Sequence, residues 1–132
     1  MIFVDTSFWI ALRLRRDARH EDALTLLRRH ADDHLITTNL VRGETWTYLR
    51  RRAEHSSAVD FLDALDRSPR VRVVTVPSEL EDDALAWLRR HDERQYSFVD
   101  STSFALMRSL RARDALAFDG DFSAAGFREL RP

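Results

Sequence analysis

Met1-Ile2-Phe3-Val4-Asp5-Thr6-Ser7-Phe8-Trp9-Ile10-Ala11-Leu12 decides how the rest of the chain is read. Met1 to Val4 is a continuous apolar run, short enough for a strand buried on both faces. Asp5-Thr6-Ser7 then supplies helix-starting residues, and the apolar pattern resumes at Phe8. A strand that passes straight into a helix, with an acid at the junction, is the opening of a β-α-β unit.

The alternation continues downstream. From Asp17 to about Asp33, the residues Ala23, Leu24, Leu26, Leu27 and Ala31 recur at near-helical spacing, and Leu35-Ile36-Thr37 predicts a second strand. Asn39 is suited to cap a helix running to about Glu54. Ser56 and Ser57 can cap another, carrying Val59, Phe61, Leu62 and Leu65 and ending near Pro69. Val71 to Val76 is rich in β-branched residues and predicts the third strand, and Pro77-Ser78-Glu79 opens a helix through Leu80, Ala84, Trp87 and Leu88. After a polar break from His91 to Tyr96, a helix is predicted from about Phe98 through Leu110. Ala115 to Phe118 then predicts a strand, Asp119-Gly120-Asp121 a turn, and Phe127 to Leu130 an edge strand. Short apolar strands alternating with helices predict an α/β sandwich around a mostly parallel sheet of four to five strands, with right-handed crossovers.

At 132 residues the chain has the size of one domain, able to bury roughly two-thirds of its extended-chain surface. Apolar residues make up 44% and charged residues 33%, with three Gly and three Pro, a composition of compact helix-rich domains rather than of disorder. No cysteine is present, which excludes disulfides, thiolate ligands and cysteine nucleophiles. No apolar run approaches the roughly 18 residues of a membrane span, and Asp5 stands where a signal peptide would be basic, so a soluble cytoplasmic protein is expected. All 21 basic residues are Arg, and the net charge is only -1. Basic character is therefore local, at Arg13, Arg15, Arg16 and Arg19, at Arg50 to Arg52, and at Arg108, Arg111 and Arg113. Each group can equally be a solvated helix face.

Four acids abut or interrupt apolar segments: Asp5, Glu44, Asp100 and Asp119. Asp5 and Asp119 follow predicted strands, where the crevice of an open parallel sheet lies. Glu44 shares a helical stripe with Leu40, Val41 and Tyr48, and Asp100 one with Ser103, Phe104 and Met107. Taken singly, each has a structural explanation: a helix cap at Asp5, an Arg pair at Glu44, a capping box of Ser97 with Asp100, and an Asp-Gly turn at Asp119. Taken together, they form an oxygen-only ligand set suited to Mg²⁺, or Mn²⁺ in its place, with phosphodiester hydrolysis as the matching chemistry. His30 and His34 have no third ligand in spacing, and Trp9, Trp46 and Trp87 lie in apolar patterns that predict core positions.

The order Asp5-Thr6-Ser7, a helical Glu44, Ser97-Phe98-Val99-Asp100 and Phe118-Asp119-Gly120-Asp121-Phe122 resembles the PIN domain, in particular VapC-type toxins of bacterial toxin-antitoxin systems. The resemblance spans essentially the whole chain. It implies a PIN-like α/β/α sandwich and a Mg²⁺-dependent endoribonuclease, homodimeric and neutralised by a VapB-like antitoxin. Asp5 and Asp100 match the principal metal ligands, Glu44 the helical acid and Asp119 the fourth acid. Thr6, Ser7 and Ser97 would support them, with Asp121 as understudy to Asp119. Many relatives carry Asn three residues after the helical acid, where this chain has Thr47.

Two other classes compete. Receiver-like and phosphoryl-transfer enzymes also place aspartates at strand ends, but they use a Lys that this chain lacks, and a haloacid-dehalogenase-like phosphatase would want an acid at Ser7. A catalytically inactive PIN-like module that binds RNA or protein would use the same acids as caps and salt bridges.

Overall fold

The computed structural model describes residues 1–132. Five strands, β1 (Ile2–Val4), β2 (Leu35–Thr38), β3 (Val71–Val74), β4 (Asp114–Leu116) and β5 (Arg128–Glu129), form one sheet in the order β3-β2-β1-β4-β5. Every adjacent pair is parallel. The seven helices are α1 (Thr6–Arg13), α2 (His20–Arg29), α3 (Asn39–Arg52), α4 (His55–Arg67), α5 (Ser78–Arg90), α6 (Phe98–Leu110) and α7 (Asp121–Ala124).

The strand order reverses beside β1. Right-handed crossovers from β1 to β2 to β3 place α1 to α4 on one face, whereas those leading to β4 and β5 place α5 to α7 on the other. The packing agrees: α1 meets α2 and α3, α3 meets α4, α5 lies along α6, and α6 touches α7. The crevice beyond the carboxyl ends of β1 and β4 is therefore a topological switch point.

Core residues lie on both sides of the sheet, so all of β1 is buried. On one side Trp9 meets Phe61 edge-on at 5.8 Å; on the other Phe3 stacks on Phe122 at 5.7 Å and Phe104 meets Phe122 at 4.9 Å. Trp9 and Trp87 are buried, and Trp46 packs partly buried against the same cluster. Helix α6 is buried from Asp100 through Met107. Its Ser101, Thr102 and Ser103 hydroxyls donate to the carbonyls of Phe98 and Val99, which satisfies these polar groups without partners on other elements.

Several boundaries differ from the sequence reading. Helix α2 begins at His20, because Asp17 instead closes a turn by accepting from the Arg19 amide at 2.8 Å. Thr38, not Asn39, caps α3, and the Asn39 side chain accepts from the Val76 amide, tying α3 to the segment after β3. Glu54 stands at the N-cap of α4, so Ser56 and Ser57 lie within the helix. Strand β4 ends at Leu116, and the expected turn at residues 119–121 leads into the short α7. No helix is long and apolar enough to cross a membrane.

Candidate active site

Asp5 leaves the carboxyl end of β1 and caps α1. Its Oδ2 accepts from the Ser7 amide at 3.1 Å and from the Ser7 hydroxyl at 2.7 Å. Ser7 Oγ in turn accepts from the Phe118 amide at 3.0 Å, which joins the ends of β1 and β4. Asp100 enters from the first turn of α6, where it and Ser97 form a reciprocal capping box: Asp100 Oδ2 accepts from the Ser97 amide at 3.0 Å, and Ser97 Oγ accepts from the Asp100 amide at 2.9 Å. The cap occupies one carboxylate oxygen and leaves Oδ1 without a hydrogen bond from the protein. The capping role and a ligand role are thus compatible in one side chain.

Asp119 and Asp121 complete the group from the turn before α7. Asp119 Oδ1 accepts from the Asp121 amide at 3.1 Å, and Gly120 between them has φ 83°, a left-handed conformation that favours glycine. Oxygens of Asp100, Asp119 and Asp121 lie within 4.8 Å of one another. Asp121, read from sequence as an understudy, is therefore a full member of the group. Asp5 lies outside that triad but within its field.

The electrostatics record the crowding. Burial first, then the charges of Asp119 and Asp100, push the Asp5 carboxyl up to about 8 despite the two Ser7 hydrogen bonds. Burial, with the charges of Asp121 and Asp119, raises Asp100 to about 6 against the pull of the Ser97 amide. Asp119 is also raised, by burial and by the neighbouring Asp121 and Glu129 charges, although part of its side chain meets solvent. Buried anions are costly without a countercharge. The cation bonded to the group is Arg94 at its edge, whose Nε pairs with Asp121 and whose Nη2 donates to the Asp119 carbonyl at 3.1 Å. An oxygen-only set lacking a buried cation fits a hard divalent ion, with Asp100, Asp119 and Asp121 placed to hold it and Asp5 beside them.

Glu44 departs from expectation. The buried stripe of α3 is Val41, Thr45 and Leu49, and Thr45 is accommodated there because its hydroxyl donates to the Val41 carbonyl at 2.8 Å. Glu44 is consequently exposed and outside the aspartate group. It lines a depression of about 450 Å³ with Thr47, Tyr48, Arg51 and Arg52. Tyr48 also borders a depression of about 280 Å³ that contains Ser7, Arg19, Phe118 and Asp119, so Glu44 belongs to the outer rim. Thr47 donates to the Gly43 carbonyl at 3.1 Å, a local helix contact. The Thr6 hydroxyl is buried with no hydrogen-bond partner, so its expected support of the acids has no direct contact behind it.

Two residues were not singled out from sequence. Arg94 lay in the polar break before α6, with only its nearness to Ser97 as a signal. Glu129, in β5, is buried: its Oε1 accepts from the Gly120 amide at 3.2 Å and its Oε2 from the Ser123 amide at 2.8 Å. Burial pushes its carboxyl upward, but hydrogen bonds from Ser123 and Arg131 outweigh that and hold it below the usual range. Glu129 thus fixes the turn that carries Asp119 and Asp121.

A parallel α/β sheet with aspartates gathered at its switch point defines the class of α/β domains that carry an acidic crevice beyond their strand ends. The family model of the PIN domain matches residues 2–128, and the chain belongs to that family. It is 55% identical over 132 residues to the 23S rRNA-specific endonuclease VapC20 of Mycobacterium tuberculosis, in both strain CDC 1551 / Oshkosh and strain ATCC 25618 / H37Rv, covering 100% of this chain and 99% of each relative. The crystal structure of Mycobacterium tuberculosis VapC20, described as a sarcin-ricin loop cleaving toxin, superposes with a TM-score of 0.92 at 54% identity over 100% of both chains.

Proposed function

We propose that this chain is a divalent-metal-dependent endoribonuclease, the toxin of a VapBC-type pair, acting in the cytoplasm on ribosomal RNA at a loop of the sarcin-ricin kind. The observation that carries the reading is the convergence of Asp5, Asp100, Asp119 and Asp121 from three distant segments, with Asp5 and Asp100 raised and no buried cation beside them. Capping and pairing account for each acid singly but not for gathering their charges in one crevice. The full-length similarity to VapC20 supports the same reading and supplies the substrate class.

In this reading Asp5 and Asp100, together with Asp119 and Asp121, would hold Mg²⁺, with Mn²⁺ able to replace it. A divalent ion held there would supply Lewis acidity toward a phosphoryl oxygen and lower the pKa of a bound water. Ser7 and Ser97 orient Asp5 and Asp100, so that each presents a fixed oxygen to the crevice. Asp5 accepts a hydrogen bond from the attacking water and aligns it with the phosphorus. Glu44 acts from the rim, and Arg94 stands where it can contact a phosphate flanking the cut. A VapB-like antitoxin would neutralise the enzyme by inserting a cationic side chain among the aspartates, and the active form is a homodimer.

The test is cleavage of deproteinised ribosomal RNA with Mg²⁺, with chelator, and with Asp5→Asn and Asp100→Asn. Mg²⁺-dependent scission lost in both variants is expected. Undiminished cleavage in chelator, or by both variants, would defeat the proposal.

A further inference from the structure

A broad concave surface lies away from the aspartates. It is a cleft of about 810 Å³ at the opposite end of β4 and β5, lined by Arg108, Arg111, Arg113 and Arg128 together with Asp114 and Phe127. Helix α6 connects the two places, with Asp100 in its first turn, Arg108 in its last and Arg111 at its C-cap. At 1.5 Å per residue, the arginines stand roughly 12–17 Å along the helix axis from Asp100.

The charges in this cleft do not cancel. Asp114 is engaged at both oxygens by Arg128, at 2.8 and 2.9 Å. Arg108, Arg111 and Arg113 have no carboxylate within ion-pairing distance, the remaining ion pairs involving Arg19, His30, His91, Arg94 and Arg131. Arg108 lies over the Trp87 ring and feels the Asp83 charge, so Arg111 and Arg113 are the two unengaged guanidiniums of the cleft, a local excess in a chain whose net charge is -1. Arg111 also adopts φ 56°, a conformation in which Gly or Asn would close the helix with less strain.

We propose that this cleft is a second RNA-binding site, gripping phosphates of the substrate's backbone at a distance from the cut; the inference rests on the ribonuclease reading above. Planar guanidiniums match phosphate oxygens in a two-point geometry, and several together suit a polyanion better than a single small anion. The aspartate group repels RNA until a cation is bound, so attraction for the backbone has to come from elsewhere on the surface. An acidic peptide is the weaker fit, because the cleft has only Ala112 and Phe127 as apolar lining for side-chain anchors. The consequence is a preference for folded RNA long enough to touch both ends of the sheet.

The test uses the full chain and the double variant Arg111→Gln/Arg113→Gln, with matching thermal melts to establish that both are folded. Fluorescence anisotropy, with Ca²⁺ in place of Mg²⁺ to offset the aspartate charge, compares an RNA hairpin with an extended stem against a short oligonucleotide of the same loop sequence. The expected result is a hairpin Kd raised roughly tenfold, with the slope of log affinity against log salt reduced by about two. Binding of the short oligonucleotide should not change. In cleavage, KM for the hairpin should rise with kcat preserved. Unchanged hairpin affinity in the variant would overturn the proposal, as would equal weakening on both RNAs or no hairpin binding by the wild type. If the wild type binds but cuts no RNA with Mg²⁺, the ribonuclease reading fails while the anisotropy comparison still decides the cleft.

Discussion

Ser7 grips Asp5 twice, through its hydroxyl at 2.7 Å and its amide at 3.1 Å, while the same hydroxyl accepts from the Phe118 amide at 3.0 Å. One small side chain thereby sets the direction of a buried acid and joins the ends of two neighbouring strands. Ser7→Ala should leave the Phe118 amide without its acceptor and Asp5 without its hydroxyl donor. Cleavage should fall by roughly 10–100-fold, the usual cost of losing a group that orients a ligand. Stability should drop by about 1–3 kcal/mol, read by denaturant titration. Near-wild-type cleavage by a folded Ser7→Ala protein would show that this grip is dispensable.

The raised Asp5 carboxyl links stability to pH with a definite sign. Its folded value of about 8 exceeds the ordinary carboxyl value of 3.8, so between those limits the folded protein holds a proton that the unfolded chain has released. Stability of the metal-free protein therefore falls as pH rises from about 4 to 8. Asp100, raised to about 6, adds to the lower part of the same window. Melting in chelator should show a lower Tm at pH 8 than at pH 6. Asp5→Asn, which keeps a helix-capping side chain but cannot ionise, should raise the Tm at pH 8 and flatten this dependence. A metal-free Tm that climbs toward pH 8 would contradict the assignment.

Metal affinity should rank the acids by position. Isothermal titration with Mn²⁺ is expected to lose its heat in Asp100→Asn, whose side chain is 7% exposed and lies within the aspartate group. Glu44→Gln, on the exposed rim, should retain most of it. Equal losses in the two variants would mean that Glu44 swings into the group when the ion binds.

Arg94 competes for one of the same ligands. Its pairing with Asp121 must be released or shared when a cation enters, and solvent screening makes such a pair easy to give up. Arg94→Ala should therefore bind Mn²⁺ about two- to fivefold more tightly in the absence of RNA. Weaker Mn²⁺ binding by this variant would instead make Arg94 a support for the turn at Asp119.

The strand-to-helix junction at Asp5 was legible because an apolar run, an acid and two hydroxyl residues occupy consecutive positions, and local chemistry alone orders them. The same holds for Ser97 and Asp100, whose spacing of three is that of a capping box. Glu44 is more exposed than the apolar stripe suggested for the opposite reason: Thr45 looks polar in sequence, yet its hydroxyl is satisfied within the helix, so the buried face of α3 is rotated by one residue from the apolar-only stripe. Glu129 and Arg94 carried no local signal. Their roles depend on β5 pairing with β4 and on the loop before α6 folding over the turn at Asp119, which are contacts between distant segments.

The double employment of Asp100 bears on how such a protein can decay. An Asn side-chain oxygen at this third helical position could accept from the Ser97 amide as Asp100 does, so a lineage released from selection for RNA cleavage could exchange the two and keep its scaffold intact. Among descendants of this chain, an aspartate at position 100 would therefore speak for surviving chemistry, whereas an asparagine there would betray a folded relic.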